Sequence, residues 1–417
     1  MSHLLGNYGR FDFEPARGEG CWLEDAKGRR VMDFGGGIAV SSLGHAHPAL
    51  VGAISEQAAR VIHCSNLYRI SGQEQLATFL VEKTMRAPGK CFFCNSGAEA
   101  NEALLKLARA HGQLQPDGPK TGIVTFEGSF HGRTFGGISA TAQAKIKNGF
   151  GPLLPGFTHL PYNDVDCLDD GIGDQTAAVL LEIVQGEGGI TVATAEFLLA
   201  IAERCAATGA LLLVDEVQAG FGRTGHPVAW ETVLGDRSDQ FQPDAVSWAK
   251  GLGGGFPIGA VWISDREVLV ESGSRPLSEV LGPGMHGTTF GGSPLASAVG
   301  LAVLGTIEKE DLAAKAAALG DEIRTRLRAL ESPCIREVRG LGLMIGLVVN
   351  EAEVARLPGF AEAGQAASIW VVNQLLQRDV LLVPAGTGVV RLLPPLTATL
   401  DDFAPVEAAL CDLLVTT

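Results

Sequence analysis

Between residues 90 and 265, short apolar runs recur at a spacing that fits a layered α/β architecture. They fall at 90–94, 121–126, 177–183, 210–214, 245–248 and 259–264. Most do not alternate apolar with polar residues, which is the pattern of strands buried on both faces of a parallel sheet. The stretches between them read as helices or glycine-rich turns. From 98 to 111, Leu104, Leu105 and Ala108 return on one helical face, and a second helix is expected over 195–208 with Gly209 as its stop. Strands alternating with helices predict an α/β domain with a mainly parallel sheet, whose ligands bind at the carboxyl ends of the strands.

Beyond about residue 300 the character changes. The segment 308–330 is rich in Ala, Leu, Glu and Arg and predicts a helix. Strand-like stretches follow at 343–349, 380–383 and 389–393, then a last helix near 404–414. This predicts a smaller α+β domain shared with the N-terminal segment, so that residues 1–45 and 300–417 form one unit and 46–299 the larger one. The length of 417 residues is ample for both cores. No internal repeat and no long polar linker interrupts them.

Composition narrows the function classes. A net charge of −15 with no basic run argues against nucleic acid, whose phosphates are bound by clustered Lys and Arg. The start at Met1 lacks the basic and apolar regions of a signal peptide, and no apolar run reaches membrane-spanning length. A cytoplasmic enzyme is expected. Eight cysteines are scattered along the chain and read as free thiols. Cys91 and Cys94 have CxxC spacing, but no second pair accompanies them, so they read as core and no metal site is expected.

Four segments carry chemistry. Lys250 follows an apolar run and precedes Gly251, Gly253, Gly254 and Gly255, which let the backbone lie close to a ligand. A lysine confined in an apolar pocket has a lowered pKa and becomes an amine nucleophile, although a solvated strand end reads similarly. Asp215 ends another buried run. It could hold magnesium, but the phosphate-binding loop of nucleotide hydrolases is absent. Its other known use is to pair with the pyridinium nitrogen of pyridoxal phosphate. Ser96, Gly97 and Ala98 open a helix after a strand, an arrangement that serves as a phosphate site, a capping box with Glu99, or both. In the fourth segment Phe130 could stack on a flat cofactor or sit in the core, Arg133 offers a fork for a carboxylate, and His131 reads as packing or cofactor-lining.

Together these segments resemble the class III pyridoxal-phosphate aminotransferases of fold type I, the family that includes ornithine, 4-aminobutyrate and acetylornithine aminotransferases. The resemblance runs from Gly20 to about Leu396, and its motifs occur in order. It is most similar to the acetylornithine branch in the segments from Asp33 to Val40 and Leu43 to Pro48. Further matches are Ser65 to Tyr68, Gln185 to Gly189 and His286 to Gly292. The resemblance implies Lys250 as the Schiff-base lysine and Asp215 as partner of the ring nitrogen. It places Gln218 on the ring hydroxyl, Phe130 and Val217 against the ring, and Ser96, Gly97 and Ala98 on the phosphate. Thr289 would reach the phosphate from a neighbouring subunit, implying a homodimer with shared sites. Arg133 would hold the far carboxylate of either substrate, and Arg391 the α-carboxylate of glutamate or 2-oxoglutarate. Glu187 would pair with Arg391 whenever an ω-amine occupies the site.

The implied reaction moves the terminal amino group of N2-acetyl-L-ornithine to 2-oxoglutarate. Succinylornithine, ornithine or 4-aminobutyrate are alternative donors. A racemase, mutase or decarboxylase would use the same lysine without needing Arg391 and Glu187. Three departures from the family pattern bear on substrate choice: Ile183 where proline is usual, Ser293 where asparagine is usual, and a longer stretch over 230–243.

Overall fold

The computed structural model describes residues 3–415. Its central sheet has seven strands, in the spatial order Gly89–Cys94, Gly259–Ser264, Ala245–Trp248, Leu211–Asp215, Thr176–Glu182, Gly122–Phe126 and Phe157–Leu160. Gly259–Ser264 runs antiparallel to both of its neighbours, while the other paired strands run parallel. All six expected runs are strands, with ends shifted by a residue at most. The seventh, Phe157–Leu160, is a four-residue edge strand carrying Thr158 and His159, with no apolar run to betray it.

The unbroken apolar runs have a direct cause. On one face Ala178, Leu180, Leu211 and Leu213 pack with Leu104, Leu107 and Ala108 of the helix Gly97–Gln113. On the other, Val179, Leu181, Leu212 and Val214 pack with Phe197, Leu198 and Ile201 of the helix Ala195–Thr208. Each fully buried leucine or valine contributes about 1.5–3 kcal/mol by leaving water. Thr194 caps the second helix at the backbone N–H of Phe197 (3.2 Å), and Gly209 ends it in the left-handed region at φ 70°. Cys91 and Cys94 lie three apart on one strand and so face opposite sides. Cys91 packs against one core and Cys94 within the other, and burial pushes both thiols up to about 12.

The chain termini build the smaller domain together. Pro15–Glu19, Trp22–Asp25 and Arg30–Asp33 form an antiparallel set, which the C-terminal strand Val380–Leu381 extends by pairing parallel with Met32 and Asp33. A second sheet orders Ile335–Leu341, Met344–Val349, Val389–Leu392 and Val383–Ala385. The run expected at 380–383 is therefore two short strands in different sheets, with buried Leu382 at the crossing. Ile335–Leu341 escaped notice because charged Arg336, Glu337 and Arg339 interrupt it. The expected helix over 308–330 is also divided. Pro294–Lys309 ends, Asp311 turns left-handed at φ 50°, and Leu312–Ala329 begins. Pro294–Lys309 continues through residue 300, where the smaller unit was expected to begin. The last helix starts earlier than expected, at Leu400, because Thr399 and Asp402 cap it reciprocally.

Candidate active site

The parallel strands deliver their carboxyl ends to one edge of the sheet, and a cavity of 420 Å³ lies there. Lys250, Asp215, Ser96, Phe130, Gln218 and Glu187 are among its lining residues. Gly97, Ala98, Val217 and Arg133 line it as well. Lys250 follows Ala245–Trp248 and has a left-handed backbone, φ 40°, a conformation uncommon outside glycine. Burial lowers its pKa, with Arg391 acting in the same direction against the opposing charges of Glu187, Asp215 and Glu182.

Asp215 is held from three sides. Its Oδ2 accepts from Asn101 Nδ2 at 2.7 Å and lies 2.9 Å from His131 Nδ1, while its Oδ1 accepts from the backbone N–H of Val217 at 3.0 Å. Asn101 and His131 are both fully enclosed. The sequence assigns no role to Asn101 and reads His131 as packing or cofactor-lining; His131 does line the cavity, but neither bond to Asp215 is legible in the sequence. One signal was available, since Asn101 is a polar residue on the apolar face formed by Ala100, Leu104 and Ala108, where an unpartnered amide is costly.

At the start of Gly97–Gln113 the Ser96 side chain accepts from Glu99 N–H at 3.2 Å. The reciprocal arm of the expected capping box lands one residue earlier, on the N–H of Asn95 (2.6 Å). The N–H groups of Gly97 and Ala98 have no acceptor within the helix. Gly97 admits no side chain, because a Cβ there would meet Val217 Cγ1 at 2.6 Å. The result is a bare, donor-rich cradle at the positive end of a helix.

Glu182, unassigned in the sequence, accepts from the N–H of Phe130 (2.8 Å) and of Gly186 (3.1 Å), and so ties two cavity segments together. Burial raises its pKa above the usual carboxylate range. The Arg133 guanidinium sits 5.5 Å from the centroid of the Phe130 ring. Arg391 is buried and does not itself line the cavity, but its Nη1 donates to Glu187 Oε1 at 2.7 Å and to Gln218 Oε1 at 3.3 Å. Its Nη2 donates to the carbonyl of Pro384 at 2.9 Å. Thr289, like Arg391, does not line the cavity. It is exposed, in a loop fastened by Asn66 to Gly291 O (2.9 Å) and by Asn95 to Thr288 Oγ1 (3.2 Å).

None of the three departures from the family pattern lines the cavity. The Ile183 carbonyl accepts from the N–H of Ala193 (2.9 Å). Ser293 caps its helix at the N–H of Ala296 (3.3 Å), a role asparagine fills equally well. The stretch over 230–243 forms two short helical turns closed by Trp230 against Phe241.

Glu216, next to the catalytic candidate Asp215, gives a stability test. It is buried, its Oε1 accepts from the N–H of Ala229 (2.7 Å), its Oε2 has no partner among the described residues, and burial pushes its pKa up to about 8. The unfolded chain keeps the ordinary carboxylate value near 4.5. Between those values the folded protein binds the extra proton, so stability falls as pH rises from about 5 to about 8. Glu216→Gln cannot titrate. Its melting temperature should gain on the wild type steadily across that window, and a constant difference would contradict the assignment.

Comparison with known proteins agrees with this geometry. The family described as Aminotransferase class-III matches residues 7–414. An acetylornithine aminotransferase of Bacillus subtilis is 44% identical, covering 98% of this chain and 97% of its own. One from Gloeobacter violaceus is 42% identical, covering 94% and 91%. Among solved structures, the N-acetylornithine aminotransferase of Stenotrophomonas maltophilia superposes with a TM-score of 0.78 at 32% identity, covering 97% and 96%. The ornithine aminotransferase of Toxoplasma gondii, described with PLP at partial occupancy in its active site, gives 0.84 at 30% identity, covering 98% and 91%.

Proposed function

The chain belongs to the class-III aminotransferases, and from that premise we propose that it moves the terminal amino group of N2-acetyl-L-ornithine to 2-oxoglutarate, giving N-acetylglutamate semialdehyde and glutamate. Its cofactor is pyridoxal 5'-phosphate. That group supplies, when bound, an aldehyde that condenses with primary amines and a ring that takes up the electron pair of a broken C–H bond. The cavity suits it on the evidence of its own atoms: an amine at Lys250, a carboxylate at Asp215, and a cradle at position 97 that a Cβ would fill.

Ser96, Gly97 and Ala98 would hold the phosphate with backbone and hydroxyl donors. Phe130 and Val217 would flank the ring, Gln218 would bond its hydroxyl, and Asp215 would keep a proton on its nitrogen. Lys250 would carry the cofactor covalently. Burial lowers its pKa and so favours the neutral amine, and the freed Nζ would take a proton from the substrate carbon and return it as general base, then acid.

The observation that carries the substrate class is the Arg391–Glu187 ion pair beside this cavity. One pocket must accept an amine with no nearby carboxylate and then a keto acid that has one. Arg391 would grip the α-carboxylate of 2-oxoglutarate, Glu187 would mask Arg391 while an ω-amine is bound, and Arg133 would hold the far carboxylate of either substrate. A racemase or decarboxylase has no use for such a pair. Other ω-amines remain the second reading. Single-turnover rates of the holoenzyme with N2-acetyl-L-ornithine, succinylornithine, ornithine and 4-aminobutyrate test the choice. The acetylated donor should give the highest kcat/KM, and a higher value for any of the other three would replace it.

A homodimer with shared sites completes the reading. Leu67, Tyr68, Phe290 and Met285 are all exposed, with Leu67 90% accessible. Asn66 and the His63–Phe290 ring contact bind their segments into one patch beside Thr289. A partner covering that patch would bring Thr289 of one subunit toward the phosphate of the other. Among the described residues no helix is long and apolar enough to cross a membrane, in keeping with a cytoplasmic location.

A further inference from the structure

Asp215 faces a hydrogen-bond chain that the reaction scheme does not use. Ser247 Oγ donates to Asn101 Oδ1 at 2.6 Å, and Asn101 Nδ2 donates to Asp215 Oδ2 at 2.7 Å and to the carbonyl of His131 at 3.1 Å. Every polar atom of the Asn101 amide is thereby used. Ser247 and Asn101 are buried at 0% and 2% exposure, so water does not compete for these bonds.

The three residues come from the three elements that carry the active site. Ser247 lies on the strand that delivers Lys250, and it sits directly opposite Asp215 in the parallel pairing of neighbouring strands. Asn101 lies one turn into the helix whose first residues form the anion cradle. Asparagine is a poor helix former and a costly residue to bury, and Ser247 explains its presence. The Asp215 carboxylate and the His131 carbonyl accept only, so they call for the NH2 end of the amide, and the Ser247 hydroxyl donates to the oxygen left on the other side.

We propose that Asn101, bonded to Ser247, is a positioning residue that fixes the orientation of the Asp215 carboxylate with which the cofactor nitrogen would pair. Oδ2 accepts from the Asn101 NH2 and lies 2.9 Å from His131 Nδ1, so the amide fixes that oxygen as an acceptor. An Asp215 carboxylate held in this way would leave the proton of the pair on the ring nitrogen when the cofactor is bound. The inference rests on the cofactor reading above and adds two residues to it.

The remaining ionisable groups around Asp215 are His131, Glu182, Glu216 and Lys250, with Glu187 and Arg391 acting on Lys250. Variants at 101 and 247 leave all of them in place. Asn101→Leu keeps the branching and removes both polar atoms. Ser247→Ala removes only the donor to the amide oxygen. The readout is the pH midpoint of the visible absorption band of the holoenzyme, together with both half-reaction rates. A lost hydrogen bond to a charged group corresponds to roughly one pH unit or a tenfold rate change. In Asn101→Leu the midpoint should rise by about that much, and both half-reactions should slow about tenfold with KM little changed. Ser247→Ala should move both in the same direction by about a third as much on the logarithmic scale. If Asn101→Leu does not fold, the sign of the Ser247→Ala shift decides. A wild-type band with an unmoved midpoint in the folded variants overturns the inference alone. A wild type with no such band overturns the cofactor reading beneath it.

Discussion

Lys250→Ala should lose the visible absorption band of the holoenzyme and transaminate at least about 10⁴-fold more slowly, with the fold intact. On the proposed function the lysine would serve twice, as the amine that anchors the cofactor and as the base that moves the substrate proton, so its loss would remove two contributions at once. The structure supports an intact fold for the variant. The Lys250 backbone lies in a left-handed turn, a conformation that alanine tolerates as well as lysine does. Removing a buried amine with a lowered pKa also relieves a desolvation cost. Near-ultraviolet circular dichroism checks the fold, and absorbance between pH 6 and 9 checks the band. Retention of a tenth of the activity would remove Lys250 from its assigned place.

The second large effect is asymmetric. Arg391→Ala should lower kcat/KM for 2-oxoglutarate by about 10²–10³, the cost of truncating one partner of a buried charge contact. The half-reaction with N2-acetyl-L-ornithine should change by only a few-fold, because on the proposed function Glu187 would cover Arg391 during that half. Glu187 is more exposed than Arg391, so its carboxylate can turn toward solvent when its partner is lost. Stopped-flow measurement of each half-reaction separates the two. Equal losses would show that Arg391 acts through the fold, where its bond to the Pro384 carbonyl joins neighbouring strands, and not through the substrate.

The fold was legible wherever one residue run reported one environment. The run 210–214 reads as a buried strand because its leucines serve both cores, and the strand proved to be Leu211–Asp215. Phe157–Leu160 is an edge strand, half wet, and its sequence has neither alternation nor an apolar run. The 380–383 segment misled because pattern alone does not say where a strand leaves one sheet for another. In the site, Lys250, Asp215 and Gly97 each stand inside a local motif. Asn101 and Ser247 do not: their partners lie 114 and 146 residues away, and only the folded sheet brings them together. The Arg391–Glu187 pair, 204 residues apart, was expected through family resemblance and not from any local signal. Thr289 is exposed in the single chain, and its expected place rests on family resemblance and not on any local signal.

Borohydride treatment of the holoenzyme, followed by peptide mass mapping, tests most directly whether Lys250 bears the cofactor. The expected result is loss of the visible band and a phosphopyridoxyl group fixed on Lys250 alone. A label on another lysine, or an untreated protein with no band to reduce, would contradict it.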